Sequence, residues 1–105
     1  ALAKALSTDL AAPSFCGRWG GEEFLVVLPG QELDAGERTL SDLLVAVRGL
    51  RVPVDDAVVT MTVSVGVAEH RPGEALSLTL NRADVALYDA KQAGRDCVYR
   101  ERTTF

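Results

Sequence analysis

At 105 residues the chain has room for one hydrophobic core and a single small domain. Its 48% hydrophobic and 25% charged content is that of ordinary globular material, and a net charge of −4 argues against a broad nucleic-acid-binding face, so any phosphate site must be a local cluster of bases. No stretch approaches the roughly 20 apolar residues that span a bilayer, no secretory signal opens the chain, and no membrane contact is expected from this segment.

Cys16 and Cys97 are too few and too far apart for a zinc site or a disulfide framework; they are expected to be buried reduced thiols in a cytoplasmic protein. The chain starts Ala-Leu-Ala-Lys with no Met, so its true N-terminus is expected to lie further upstream.

In chain order, Ala1 to about Leu10 reads as the end of a helix with Leu2, Leu6 and Leu10 on one face, broken by Pro13. Ser14 to Trp19 is a short strand, Gly20-Gly21 a turn, and Glu22 to Leu28 a second strand stopped by Pro29-Gly30. Asp34 to about Gly49 has helical periodicity, with Leu40, Leu43, Leu44 and Val47 facing inward. Arg51 to Asp56 is expected to be a loop carrying Pro53. Ala57 to Glu69 alternates over its whole length and predicts the longest strand. A turn at 70–73, a helix from about Leu76 to Ala93 and a closing strand Cys97-Val98-Tyr99 follow. The order α-β-β-α-β-α-β predicts an α+β or α/β sandwich with helices packed on a mainly antiparallel sheet. There is no repeat, low-complexity run or internal domain boundary.

Arg18-Trp19-Gly20-Gly21-Glu22-Glu23-Phe24 carries the strongest chemical signal. Adjacent glycines permit a tight turn and close approach by another molecule. The two carboxylates offer oxygen ligands for a hard cation such as Mg²⁺. The following run Leu25-Val26-Val27-Leu28 holds the turn on a buried strand. An ordinary hairpin with solvated glutamates is the plainer alternative for these residues taken alone.

On the last helix, Leu80, Ala83, Leu87 and Ala90 form a core-facing stripe, and Asp84, Tyr88, Lys91 and Arg95 a neighbouring one. Lys91 and Arg95 stand about one turn apart, so both cations can reach one phosphate tail. The competing reading is a solvated basic helix end that complements the macrodipole. Asp84 is expected to brace the helix or a nearby loop. Tyr88 is expected to pack rather than catalyse, and Trp19, beside Arg18, to be an aromatic anchor. His70, the single histidine, is expected at the surface.

Four ordered segments together resemble the GGDEF family, the diguanylate cyclases, in the GGEEF form of the signature. They are Arg18 to Pro29, Thr62-Val63-Ser64-Val65-Gly66-Val67-Ala68, Ala83-Asp84-Val85-Ala86-Leu87-Tyr88-Asp89-Ala90-Lys91, and Gly94-Arg95-Asp96. The resemblance runs from about residue 1 to residue 100. It implies the palm-like, ferredoxin-related fold of nucleotide cyclases, and residues 1–105 as a partial domain. The family's preceding strand, which carries a metal-binding aspartate, and the following helix, which reads the guanine, would be missing at the N-terminus. That loss is expected to leave exposed edges and apolar faces, and the fragment alone to be inactive.

The resemblance also implies a reaction: two GTP molecules, one on each of two domains in a homodimer, become cyclic di-GMP with release of pyrophosphate. Glu22 would ligate Mg²⁺ (or Mn²⁺) beside the attacking hydroxyl, and Glu23 would be the second acid of the turn. Gly20 and Gly21 would admit the nucleotide, and Lys91 and Arg95 would contact its β- and γ-phosphates. An upstream sensory or receiver domain would supply the input. The alternative is a degenerate, non-catalytic GGDEF module that binds nucleotide or mediates dimerisation or regulation. Two departures stand out. Ala11 and Ser14 occupy the ends of the family's R-x-x-D product-inhibition motif, so that feedback site should be absent. Asp96 replaces the common asparagine and is read as a loop change with little catalytic weight.

Overall fold

The structure, a computed structural model, describes residues 15–19 and 23–102, with side chains from Val26 onward. Two strands, β1 (Phe15–Trp19) and β2 (Glu23–Val27), form an antiparallel hairpin in which Phe15 pairs with Val27 and Trp19 with Glu23. The expected helix at residues 1–10 lies outside the described residues.

Helix α1 (Leu33–Arg48) follows, with Asp34 in its first turn and Arg48 in its last, each complementing the helix dipole. No local side chain caps its start; the Leu33 N–H instead donates to Glu69 Oε1 at 2.6 Å, a cap supplied from a distant loop. Leu40, Leu43, Leu44 and Val47 are all buried, as their spacing predicts.

Strands β3 (Val52–Val54) and β4 (Ala57–Val59) make a small antiparallel hairpin around Asp55-Asp56, with Asp55 at φ 53°. Aspartate is among the few residues that accept this left-handed conformation. The expected loop at 51–56 is therefore half strand: Val52 and Val54 supply β-branched positions on either side of Pro53.

The long strand expected at 57–69 is corrected to two short ones, β4 and β5 (Val65–Val67). Its alternation correctly puts Met61, Val63 and Val65 against the core. Alternation reports which way side chains face, not whether a ladder partner exists, and residues 60–64 have no strand partner among the described residues.

Helix α2 (Leu76–Gln92) then crosses back to β6 (Val98–Arg100), which pairs parallel with β5: Val65 with Val98, Val67 with Arg100. A parallel pair needs such a crossover. The architecture is α+β, with two antiparallel pairs and one parallel pair among the described residues. The core gathers Leu40, Leu43 and Val47 of α1 around Val67, with Val26, Leu28, Leu33 and Val98 packed against it.

The packing of α2 on β5 rests on one glycine. A Cβ at Gly66 would collide with the Ala83 carbonyl oxygen and the Leu87 amide nitrogen, and would lie 2.9 Å from Leu87 Cα. The helix backbone is thus seated directly on the strand. Accordingly its most buried residues are small: Ala86 and Ala90 are fully buried and Thr79 nearly so, while Ala83 and Leu87 flank them half-buried. The buried line is rotated slightly from the expected Leu80–Ala83–Leu87–Ala90 stripe, because close approach selects for alanine rather than leucine at the contact line.

Polar contacts fasten the C-terminal segment across both helices. Arg100 pairs with Asp34 at 2.5 Å, and Arg102 grips both carboxylate oxygens of Asp89 at 2.7 and 2.9 Å. Glu101, with its side chain 7% exposed, accepts the Glu69 N–H at 2.8 Å and meets Arg71 at 2.9 Å.

Candidate functional site

The signature turn is bracketed by the facing residues Trp19 and Glu23, the last pair of the β1–β2 ladder. Gly20, Gly21 and Glu22 lie outside the described residues, and Glu23 is described only in its backbone at the start of β2. In sequence, two glycines and an acid separate the paired strand ends. The apolar residues that follow anchor it: Val26 and Leu28 pack against the core, so the hairpin is held from its C-terminal side.

The two cations sit at the C-terminal end of α2. Lys91 occupies the last turn, and Arg95 is exposed three residues beyond the helix. The helix ends in a Schellman motif. The Gly94 N–H donates to the Lys91 carbonyl at 3.4 Å, and the Arg95 N–H reaches back to the Ala90 carbonyl at 3.0 Å. Gly94 adopts φ 112°, the role that favours glycine at this position. The left-handed run continues through Arg95 (φ 66°) and Asp96 (φ 51°), and the Cys97 carbonyl then accepts the Val65 N–H at 2.9 Å to begin the β5–β6 ladder. The structure thus brings Lys91 and Arg95 onto one tightly turned helix end. Neither side chain has a salt bridge or hydrogen bond among the described residues.

Their stripe neighbours differ from expectation. Tyr88 is 60% exposed, and Asp84 is exposed with no hydrogen bond among the described residues. Asp84 therefore braces nothing there. With the helix seated on Gly66 through its alanines, this side of α2 is turned to solvent. His70 is at the surface as expected. It shares a 2.6 Å hydrogen bond with Thr79 Oγ1, whose proton goes to Glu74 Oε1 at 2.7 Å. A hydroxyl has one proton to give, so His70 Nδ1 must donate to Thr79.

An unanticipated charged cluster braces the other end of α2. Arg82 donates to both oxygens of Glu74 at 2.6 and 2.8 Å and to the Glu69 carbonyl at 2.9 Å. Its Nε lies 3.3 Å from Glu101 Oε1, close enough for ion pairing but not aligned as a hydrogen bond. Glu74 also accepts the Arg71 N–H at 2.8 Å. Hydrogen bonds from Arg82 first, and then from the Arg71 backbone, hold the Glu74 carboxyl far below the usual carboxylate range. Asp89 is likewise lowered by its forked contact with Arg102. Nothing in local spacing flags this cluster, since its members come from residues 69–74, from α2 and from beyond β6. Among the described residues no group of three or more His, Cys, Asp or Glu side chains could hold a metal ion.

Comparison with known proteins establishes the family and the fold. The profile of the family described as diguanylate cyclase, GGDEF domain, matches residues 1–97, and the chain belongs to that family. It is similar to the diguanylate cyclase DgcP of Pseudomonas aeruginosa, with 38% identity over 95 residues, 90% of this chain and 14% of that protein. Among solved structures it resembles the diguanylate cyclase SiaD of Pseudomonas aeruginosa, in complex with its activator SiaC. The TM-score is 0.90 at 46% identity, over 94% of this chain and 38% of that one. It also resembles the active GGEEF domain of a diguanylate cyclase from Vibrio cholerae, with TM-score 0.85 and 27% identity, over 98% of this chain and 65% of that one. The fold is therefore the palm-like α+β fold of these cyclase domains. The chain spans only a minor part of the curated relative it matches.

Proposed function

We propose that the full-length protein containing this chain is a diguanylate cyclase, and that residues of this chain form the acidic and phosphate-binding parts of its active site. In the reaction, the 3′-hydroxyl of each GTP attacks the α-phosphorus of the other. Two P–O bonds form, two pyrophosphates leave, and cyclic di-GMP results. The carrying observation is the Gly20-Gly21-Glu22-Glu23 sequence in the same chain as a Lys91–Arg95 helix end without a salt bridge or hydrogen bond among the described residues. A domain that only mediated contacts would have no physical need for either.

In this reading Gly20 and Gly21 admit the nucleotide where a side chain would intrude. Glu22, with hard oxygen donors, would hold Mg²⁺ or Mn²⁺, which when bound supplies Lewis-acid neutralisation of charge on the phosphates. Glu23 supports Glu22 or shares its ligand role. Lys91 and Arg95 bind the β- and γ-phosphates, the point charge of lysine and the planar fork of arginine together offsetting charge that grows on departing pyrophosphate. Because each nucleotide attacks the other, two copies must face each other, so catalysis requires a homodimer. Control by a sensory or receiver domain elsewhere in the polypeptide fits that requirement, since an input that changes how two copies meet changes the rate. No described helix is long and apolar enough to cross a membrane; with GTP as substrate, the proposed location is the cytoplasm.

The test is product identification. Full-length protein incubated with GTP and Mg²⁺ should yield cyclic di-GMP and pyrophosphate in a 1:2 ratio. Binding of GTP without product would instead establish a non-catalytic module.

A further inference from the structure

We propose that Arg48 and Asp96 form a positioning pair that fixes the left-handed turn carrying Arg95, and thereby tunes affinity for the phosphate tail of the nucleotide; this rests on the phosphate-binding role proposed for Arg95. Three consecutive residues, Gly94, Arg95 and Asp96, have positive φ. Glycine adopts this region freely and aspartate tolerates it, but arginine does so at a cost that surrounding contacts must offset.

The Schellman bonds fix only the first part of the turn, because the last of them uses the Arg95 N–H. The next anchor is the Val65 bond to the Cys97 carbonyl. Between those two points the Cys97 thiol donates weakly to the Ala90 carbonyl at 3.5 Å, and Asp96 is held from outside the turn, its two oxygens sharing the Arg48 Nε–H at 3.2 and 3.1 Å. Arg48 is the last residue of α1, so the pair ties the end of one helix to the turn beyond the other.

A carboxylate at position 96 makes this contact an ion pair charged on both sides, with two acceptor oxygens, where an asparagine would offer a single neutral one. The side chains are 49% and 35% exposed, so the pair contributes little to overall stability. Its effect is directional: it holds the backbone from which Arg95 projects.

The experiment is steady-state kinetics and melting of full-length Arg48→Ala, Asp96→Asn and the double variant, with Arg95→Ala and Arg95→Ala/Asp96→Asn beside them. Each single change at the pair should raise KM for GTP about 2- to 5-fold, the range open to a half-exposed ion pair. The double variant should match the singles, and melting should move by less than about 2 °C. In the Arg95→Ala background, Asp96→Asn should add nothing. An unchanged KM in Asp96→Asn beside a raised KM in Arg95→Ala overturns the pair and leaves the phosphate role standing. A KM unaffected by Arg95→Ala overturns both. A rise that persists without Arg95, or one that tracks a loss of melting temperature, overturns the positioning role.

Discussion

Replacing Gly66 by alanine should damage this domain far more than a single methyl ordinarily does. The added Cβ would overlap the Ala83 carbonyl oxygen and the Leu87 amide nitrogen and approach Leu87 Cα to 2.9 Å, where ordinary contact begins near 3.4 Å. All three obstacles are helix backbone, so no rotamer change relieves them and α2 must lift from β5. Overpacking a core costs about 1–3 kcal/mol, and backbone on both sides puts this change at about 3 kcal/mol. Against a stability of about 5–15 kcal/mol, that removes a large share. At about 4–8 °C per kcal/mol the melting temperature should fall by roughly 12–24 °C. Gly36→Ala is the internal control. It lies within α1, and its Cβ would meet Leu28 Cδ1 at 3.7 Å and Val67 Cγ2 at 3.9 Å, ordinary packing distances. Relief of glycine's helix penalty should there stabilise by about 0.5–1 kcal/mol. Calorimetry of both variants reads the contrast. A Gly66→Ala melt within about 2 °C of the native protein would refute the direct seating of α2 on β5.

Loss of the proposed charge-assisted phosphate contact should make Lys91→Ala reduce kcat/KM for GTP by about 10- to 100-fold without a comparable loss of stability; paired kinetics and melting check it. Stability should also fall in acid through Glu74. Its folded-state pKa lies below the ordinary 4.5, so its contribution is fully present above that value and is lost as pH drops below it toward the folded-state pKa. Glu74→Gln should therefore flatten the acid limb of a stability–pH curve, and an unchanged limb would assign the loss to other carboxylates.

Much of the fold is legible in the chain because its signals are local. The i, i+3, i+4, i+7 spacing of Leu40, Leu43, Leu44 and Val47 identifies both α1 and its buried face. Gly20-Gly21 between two strand patterns identifies the β1–β2 hairpin. What escapes depends on partners distant in sequence. The run 57–69 alternates correctly yet is one strand only in its facing, since ladder formation depends on a neighbour that no periodicity encodes. The seating of α2 follows from Gly66, some twenty residues from the helix positions it touches. The same holds for the site: Lys91 and Arg95 are visible as a basic helix end, whereas Arg48, forty-eight residues before Asp96, and the Glu74–Arg82–Glu101 cluster become visible only when the chain is folded. Asp96, read from sequence as an incidental loop change, is a bonded anchor in the structure.

The central claim is that the Gly-Gly-Glu-Glu turn performs cyclisation, and the rate of cyclic di-GMP formation by full-length Glu22→Ala tests it most directly. Removing the acid proposed to hold the metal beside the attacking hydroxyl should lower kcat on the order of 100- to 1000-fold while the protein stays folded and still binds GTP through the proposed Lys91 and Arg95 contacts. A Glu22→Ala protein that makes cyclic di-GMP at the native rate would contradict the account.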